Sequence, residues 1–341
     1  MKNVKKLVSA VLISAFAFST VGCNMIAKTP EAIQKSVVAT VNGEKITRGE
    51  LDSNPNLMGV VAQIKQQYGA DYEKNDDAKS VLKEQKAQVL DTMIEEKIIE
   101  QKAKELKVLP DDSKLKTEVD TQLNNMKKQS FGGDEAKFQA ALKQQNITEK
   151  ALKDMYYTQM RNQAISKNVS DNVTKDVKVD DKSIQEYYKA NPYKYTEKAN
   201  RIHTAHILVK TEDEAKKVKA RLDKGEDFGK VAKEVSTDTA TKDKGGDLGY
   251  VNYVDSGFDA AFMAGAIALK KGAISAPVKS QFGYHIIKCI DKEEYPVKKL
   301  DAVKAQIKTQ LETEQKQKKY QDKVNEWKKS AKTTKNEKNL I

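Results

Sequence analysis

The sequence predicts an α+β protein in which a unit of strands and short helices is inserted between two mostly helical segments. Three observations carry this expectation. From about residue 48 to 190 apolar residues recur at threes and fours, and few Gly or Pro interrupt them. Near 191–200, at Asn191-Pro192 and a Tyr/Lys stretch, the composition shifts, and from Arg201 onward strand-like alternation and glycines dominate. After Tyr295-Pro296 the helical spacing returns.

The N-terminus decides where the rest works. Lys2, Lys5 and Lys6 precede an uncharged apolar run from Leu7 to Val21, too short and too rich in Ala and Ser for a spanning helix. Residues 1–22 therefore read as an export signal. Its end, Thr20-Val21-Gly22-Cys23, resembles the lipobox of bacterial lipoproteins, with Thr20 where Leu is usual. The resemblance implies that Cys23 becomes the lipidated first residue of the mature chain, held to the membrane by a diacylglyceryl anchor. Two acyl chains anchor stably where one does not. An ordinary cleaved signal with an incidental cysteine is the other reading. Only Cys289 remains after Cys23, so no internal disulfide is expected and the fold stands on packing. No later segment has the roughly 18 consecutive apolar residues of a second span.

Residues 23–35 read as a tether. The apolar run Val37 to Val41, closed by Asn42-Gly43 and followed by Ile46-Thr47, reads as the first ordered element. Leu90, Ile94 and Ile98, flanked by Val89, Met93 and Ile99, form a wide stripe on a helix over about 78–107. Further helices are predicted at 112–128, 134–145 and 148–169, with Thr148 as an N-cap and Phe131-Gly132-Gly133-Asp134 as a connecting loop. These make 36–198 a helical N-terminal region. At the other end Leu300, Val303, Ile307, Leu311, Tyr320, Val324 and Trp327 continue the pattern on a basic segment. An isolated helix would leave Trp327 wet, so 294–341 is expected to pack on the N-terminal helices. Both ends of the chain would then form one domain, with 199–293 inserted.

The inserted segment carries the chemistry. Arg201 to Val209 reads as a strand in which Ile202, Thr204, His206 and Leu208 share one face and His203 points away. Two short helices follow, lined by Ala215, Val218 and Leu222 and then by Phe228, Val231 and Val235. The second leads into Ser236-Thr237-Asp238 and a polar loop. Gly245-Gly246 permit a close backbone approach before Asp247-Leu248-Gly249-Tyr250 starts a strand. A helix marked by Phe258, Phe262, Ala266 and Leu269 precedes a last strand, Gly283 to Ile290, with His285, Ile287 and Cys289 on one face. The order is β-α-α-β-α-β-β. All three of the chain's histidines stand in this segment, and two of them, His206 and His285, occupy matching places on two strands.

The motifs HTAHILV (203–209), Asp238 after the second helix, GGDLGY (245–250), Phe262 and GYHII (283–287) together resemble the parvulin-type peptidyl-prolyl isomerase domain. With the VATVNGEKIT opening, the helical flanks and the lipobox, the whole chain is similar to the PrsA-type extracytoplasmic foldase lipoproteins of Gram-positive bacteria. The resemblance implies a four-stranded antiparallel sheet with surrounding helices. It implies catalytic roles for His206, Asp238 and His285, and a proline cup built from Leu248, Phe258 and Phe262. The loop 251–257 is longer than in the smallest parvulins, so Phe258 follows the family pattern less closely than Phe262. For each residue a plainer role stands beside this one: the histidines as ties between strands, Asp238 as a cap, Phe262 as core.

The expected activity is isomerisation of X-Pro bonds in newly secreted proteins, by a lipid-anchored chaperone on the outer face of the cell membrane. The alternative is a non-catalytic holdase in which the inserted domain is a scaffold or binding face. No cofactor and no metal are expected, because the histidines have no Cys or Glu at ligand spacing. The net charge is +12, and +9 without the three lysines of the signal (58 basic against 49 acidic residues). The lysines are interleaved with acids rather than clustered with aromatics, which excludes nucleic acid and fits anionic cell-envelope polymers, headgroups or acidic clients. Lys210-Thr211-Glu212-Asp213 follows the first strand where phosphate-reading parvulins carry basic residues, so no phosphopeptide preference is expected. The sequence leaves homodimerisation open.

Overall fold

The computed structural model describes residues 29–144 and 147–341. The proposed signal and Cys23 lie outside the described residues. The described residues divide into two compact units, one within 1–177 with 314–341 and the other 178–313. Among the described residues no helix is long and apolar enough to cross a membrane.

In the first unit Thr29 caps a short helix, α1 (Pro30–Gln34), within the segment read as a tether; a side-chain cap and Pro at the first position suffice for one turn. Strands β1 (Val37–Val41) and β2 (Glu44–Thr47) form a hairpin. Its loop, Asn42-Gly43, has φ of 50° and 89°, the pair of positive values that a two-residue turn between twisted strands requires. Thr47 and Glu50 make a reciprocal capping box on α2 (Arg48–Asp52), and α3 (Pro55–Tyr68) follows. The long α4 (Asp76–Glu105) is capped by Asn75, with acids in its first turn and lysines in its last. Then come α5 (Asp112–Phe131), α6 (Glu135–Gln144) and α7 (Glu149–Thr174).

Leu90, Ile94 and Ile98 of α4 bury against Val38, Val41, Ile46, Leu51 and Leu57. Ile99 and Ala103, further along the same helix, pack with Ile165 and Val169 of α7.

The second unit begins with α8 (Asp181–Ala190) and contains β3 (Arg201–Val209), α9 (Glu212–Asp223), α10 (Phe228–Val235), β4 (Asp247–Asn252), α11 (Ala260–Ala268), β5 (Val278–Ser280) and β6 (Gly283–Glu293). The four strands form one antiparallel sheet in the order β4-β3-β6-β5. Period-two alternation divides its side chains between two cores. Ala205, Ile207, Val209 and Ile286 face α9 and α10 through Val218, Leu222, Phe228 and Val231. Ile202, Ile287 and Cys289 face α11 through Phe262, Met263 and Ala266. The register shifts between His203 and Thr204, and this bulge lets β6 continue to Glu293, three residues beyond the expected end.

This unit is wider than 199–293. Val179, Ile184 and Tyr195 form a small core with Val303 and Ile307 at the start of α12 (Leu300–Ser330). From residue 314 the chain counts with the first unit, where Trp327 packs on Ile99 and Val324. A third strand, β7 (Thr333–Lys335), pairs with β1, and Leu340 is buried in the same core. Arg48 donates to the Asn339 carbonyl at 2.7 Å, and Asn339 donates to that of Val37 at 2.8 Å. Asp52 holds Arg48 and the buried Lys86 together, at 2.8 and 2.7 Å.

Candidate functional site

The ladder between β3 and β6 sets His206 opposite Ile287 and Leu208 opposite His285. The two histidines are therefore diagonal neighbours on the α11 face, within reach of each other's rings. Their Nδ1 atoms lie 3.0 Å apart, and the rings stack at 5.3 Å and 18°. Both side chains are buried.

Where β4 stops pairing, other backbone takes over the edge of β3. The His206 N–H donates to the Gly246 carbonyl at 2.8 Å, the Leu208 N–H to Ser236 Oγ, and the Thr237 N–H to the Leu208 carbonyl. Gly246 has φ of 79°, and a Cβ there would lie 2.1 Å from the His206 carbonyl oxygen. Only glycine allows this approach. The same edge contacts bring Asp238 over His206, with Oδ2 2.8 Å from Nε2.

Asp238 uses its two oxygens differently. Oδ1 accepts the Ala240 N–H at 3.1 Å, closing the turn, while Oδ2 accepts from His206 and from the Thr241 hydroxyl. Capping and histidine pairing therefore coexist. Burial pushes the carboxyl up, but hydrogen bonds from Thr241, His206 and Ala240 outweigh it and hold Asp238 below the usual carboxylate range. An ionised Asp238 can only accept, so His206 Nε2 carries a proton. On the far side of the pair, His285 Nε2 lies 2.7 Å from Ser280 Oγ. Burial first, and the neighbouring His206 second, push the His285 imidazole down to about 4, so it is neutral near pH 7.

Phe262 stands edge-on to both imidazoles, with centroids 5.7 Å from His206 and 5.2 Å from His285. Phe258 stacks on Phe262 at 5.3 Å and is 38 % exposed. Leu248 is partly buried on the cluster of Phe262 and Met263. Of the three expected apolar residues, Phe262 stands beside the histidines, while Phe258 and Leu248 pack on Phe262 or its cluster. His203 lies apart, bonded to Asp247 at 2.8 Å and packed on Tyr250. Thr211 caps α9 reciprocally with Glu214, which uses the turn after β3 for helix capping.

Two members of the polar line escape sequence reasoning. Thr241 is one of several hydroxyl residues in the loop, and Ser280 reaches His285 only through the β5–β6 hairpin. The residual signal is spacing: three residues after Asp238, and five before His285.

Residues 195–291 match the family model of the PPIC-type peptidyl-prolyl isomerase (rotamase) domain, and residues 1–166 that of the SurA-like N-terminal domain. Fold and comparison together define the class: a peptidyl-prolyl isomerase of the parvulin type. The foldase protein PrsA of Clostridium kluyveri is 60% identical over 341 residues, covering 100% of both chains. That of Clostridium botulinum strain 657 is 53% identical over the same span, again 100% of both. The chain belongs to the PrsA foldase family. A solved peptidyl-prolyl isomerase (PrsA) from Bacillus cereus is 25% identical and covers 90% of this chain and 96% of its own, with a TM-score of 0.39.

Proposed function

We propose that this chain is a membrane-anchored extracytoplasmic foldase that isomerises X-Pro bonds in secreted proteins after translocation, with Cys23 as the lipidated residue. The observation that carries the reading is the unbroken line Ser280–His285–His206–Asp238–Thr241 beneath Phe262. Rotation of a peptide bond faces a barrier of about 18–20 kcal/mol from amide resonance. No bond need break; the site must favour the twisted amide over both planar forms. A planar amide separates more charge than a twisted one, so a dry cup of Phe262, Phe258 and Leu248 around the proline ring favours the twisted form. The Asp238 carboxylate, only partly buried, provides an electron-rich group beside the carbonyl and opposes the charge that resonance places on its oxygen. The imidazole pair forms the floor and fixes the orientation of that carboxylate.

In the same reading, residues 36–198 with 294–341 hold unfolded client segments while 199–293 turns their prolyl bonds; the likeness to foldase proteins supports the holding role. The basic surface suits anionic envelope polymers and acidic clients. The test is proline-limited refolding of a model protein. The intact chain should accelerate the slow phase and His206→Ala should abolish the acceleration. Equal acceleration by both would leave only the holdase.

A further inference from the structure

His203 stands outside the line of polar side chains beneath Phe262. Both ladders of β3 slip beside it, against β6 between His203 and Thr204 and against β4 between His203 and Ala205. A slip of this kind interrupts regular backbone pairing and re-aims the side chains next to it. Here a side chain supplies a tie across the interruption. His203 Nε2 lies 2.8 Å from Asp247 Oδ1, and the same oxygen accepts the Gly249 N–H at 2.7 Å. Burial pushes the Asp247 carboxyl up, but the Gly249 N–H and His203 outweigh it and hold it below the usual carboxylate range. An ionised carboxylate only accepts, so His203 Nε2 carries the proton. The imidazole is packed in turn against the Tyr250 ring, 5.1 Å away, whose hydroxyl donates to Asp291 at 2.9 Å.

Asp247 directly follows Gly246, and Gly246 spends both of its backbone groups on the site. Its carbonyl accepts the His206 N–H at 2.8 Å, and its N–H donates to the Thr241 carbonyl at 2.9 Å. The Thr241 hydroxyl donates onward to Asp238. One residue therefore sets the spacing between the strand that carries His206 and the loop that carries Asp238. A glycine has no side chain with which to hold its own position. The carboxylate of the next residue does so instead, and His203 is the side chain that grips it.

We propose that His203 is a positioning residue for isomerisation: through Asp247 it holds Gly246 in place, and with it the spacing of His206 and Asp238. This rests on the isomerase reading above. Two variants of the full chain separate the donor from the ring. His203→Phe keeps a ring against Tyr250 and removes the donor, whereas His203→Gln keeps a donor of similar reach and removes the ring. Exchange NMR over a range of proline-peptide concentrations gives kcat and KM, and amide protection at Ile287 reports folding. His203 is partly exposed, so both variants should fold. His203→Phe should lower kcat about fivefold with KM unchanged, the scale of one charge-assisted hydrogen bond partly screened by water. His203→Gln should recover most of that loss. An unchanged kcat in His203→Phe, an equal loss in His203→Gln, a change confined to KM, or lost protection at Ile287 overturns the proposal. Absence of turnover by the unaltered chain overturns the isomerase reading instead.

Discussion

Acid should loosen the isomerase unit through one residue. His285 is buried, and its imidazole is pushed from 6.5 down to about 4, by burial first and by His206 second. The unfolded chain therefore binds a proton between these two pH values that the folded chain refuses, and stability falls as pH falls. Each pKa unit is worth about 1.4 kcal/mol, so the interval removes roughly 3 kcal/mol in total. The contribution is fully present above pH 6.5 and is lost on descending to about 4. Asp238 and Asp247 are lowered from 3.8, Asp291 is lowered to about 2, and Glu212, Glu214, Glu234, Glu293 and Glu294 are lowered from 4.5, so carboxylate losses set in only below 4.5. Above 4.5 the histidine window stands apart from them. Trp327 packs in the first unit and its fluorescence does not report on this one. The assay is amide exchange at Ile287 and Cys289, whose N–H groups are bonded to Ser275 and Ala273. Protection free energy should decline by about 1.4 kcal/mol per pH unit between the two values, and the slope should vanish in His285→Gln. An equal slope in both proteins would refute the assignment of the acid sensitivity to His285.

Three further outcomes follow from the packing. Gly246→Ala places a Cβ 2.1 Å from the His206 carbonyl oxygen at positive φ; it should cost well over the roughly 1–2 kcal/mol of the left-handed conformation alone, read as a lower melting temperature of the isomerase unit. Leu340→Ala empties a site that is 1 % exposed in the core beneath β1 and β7. It should destabilise the first unit by about 3 kcal/mol in urea unfolding followed by Trp327, and leave exchange at Ile287 unchanged. Thr241→Val removes a donor that helps keep Asp238 ionised; the acid limb of the pH–rate profile should move to higher pH, and Thr241→Ser should restore it.

Much of this arrangement was legible because it depends on period and parity. Strand alternation separates His206 and His285 from His203, and the ladder places the first two as diagonal neighbours. Gly245-Gly246 announced a close approach, and the approach is to the backbone of His206. What escaped depends on partners distant in sequence. Thr333–Lys335 has three exposed residues and no apolar alternation, and becomes a strand because β1 offers a free edge. The bulge after His203 leaves no mark in the sequence, where no Gly or Pro interrupts 201–209. Ser280 and Thr241 are small hydroxyl residues among others like them, selected only by the sites they reach.

The most direct test of the site is Asp238→Ala in the full chain, assayed by exchange NMR on a proline peptide and by refolding of a proline-limited protein. Asp238 is only partly buried, so the fold should survive the change. kcat/KM should fall about a hundredfold, with amide protection in β3 and β6 retained. Unchanged turnover in a folded variant would contradict a catalytic role for Asp238.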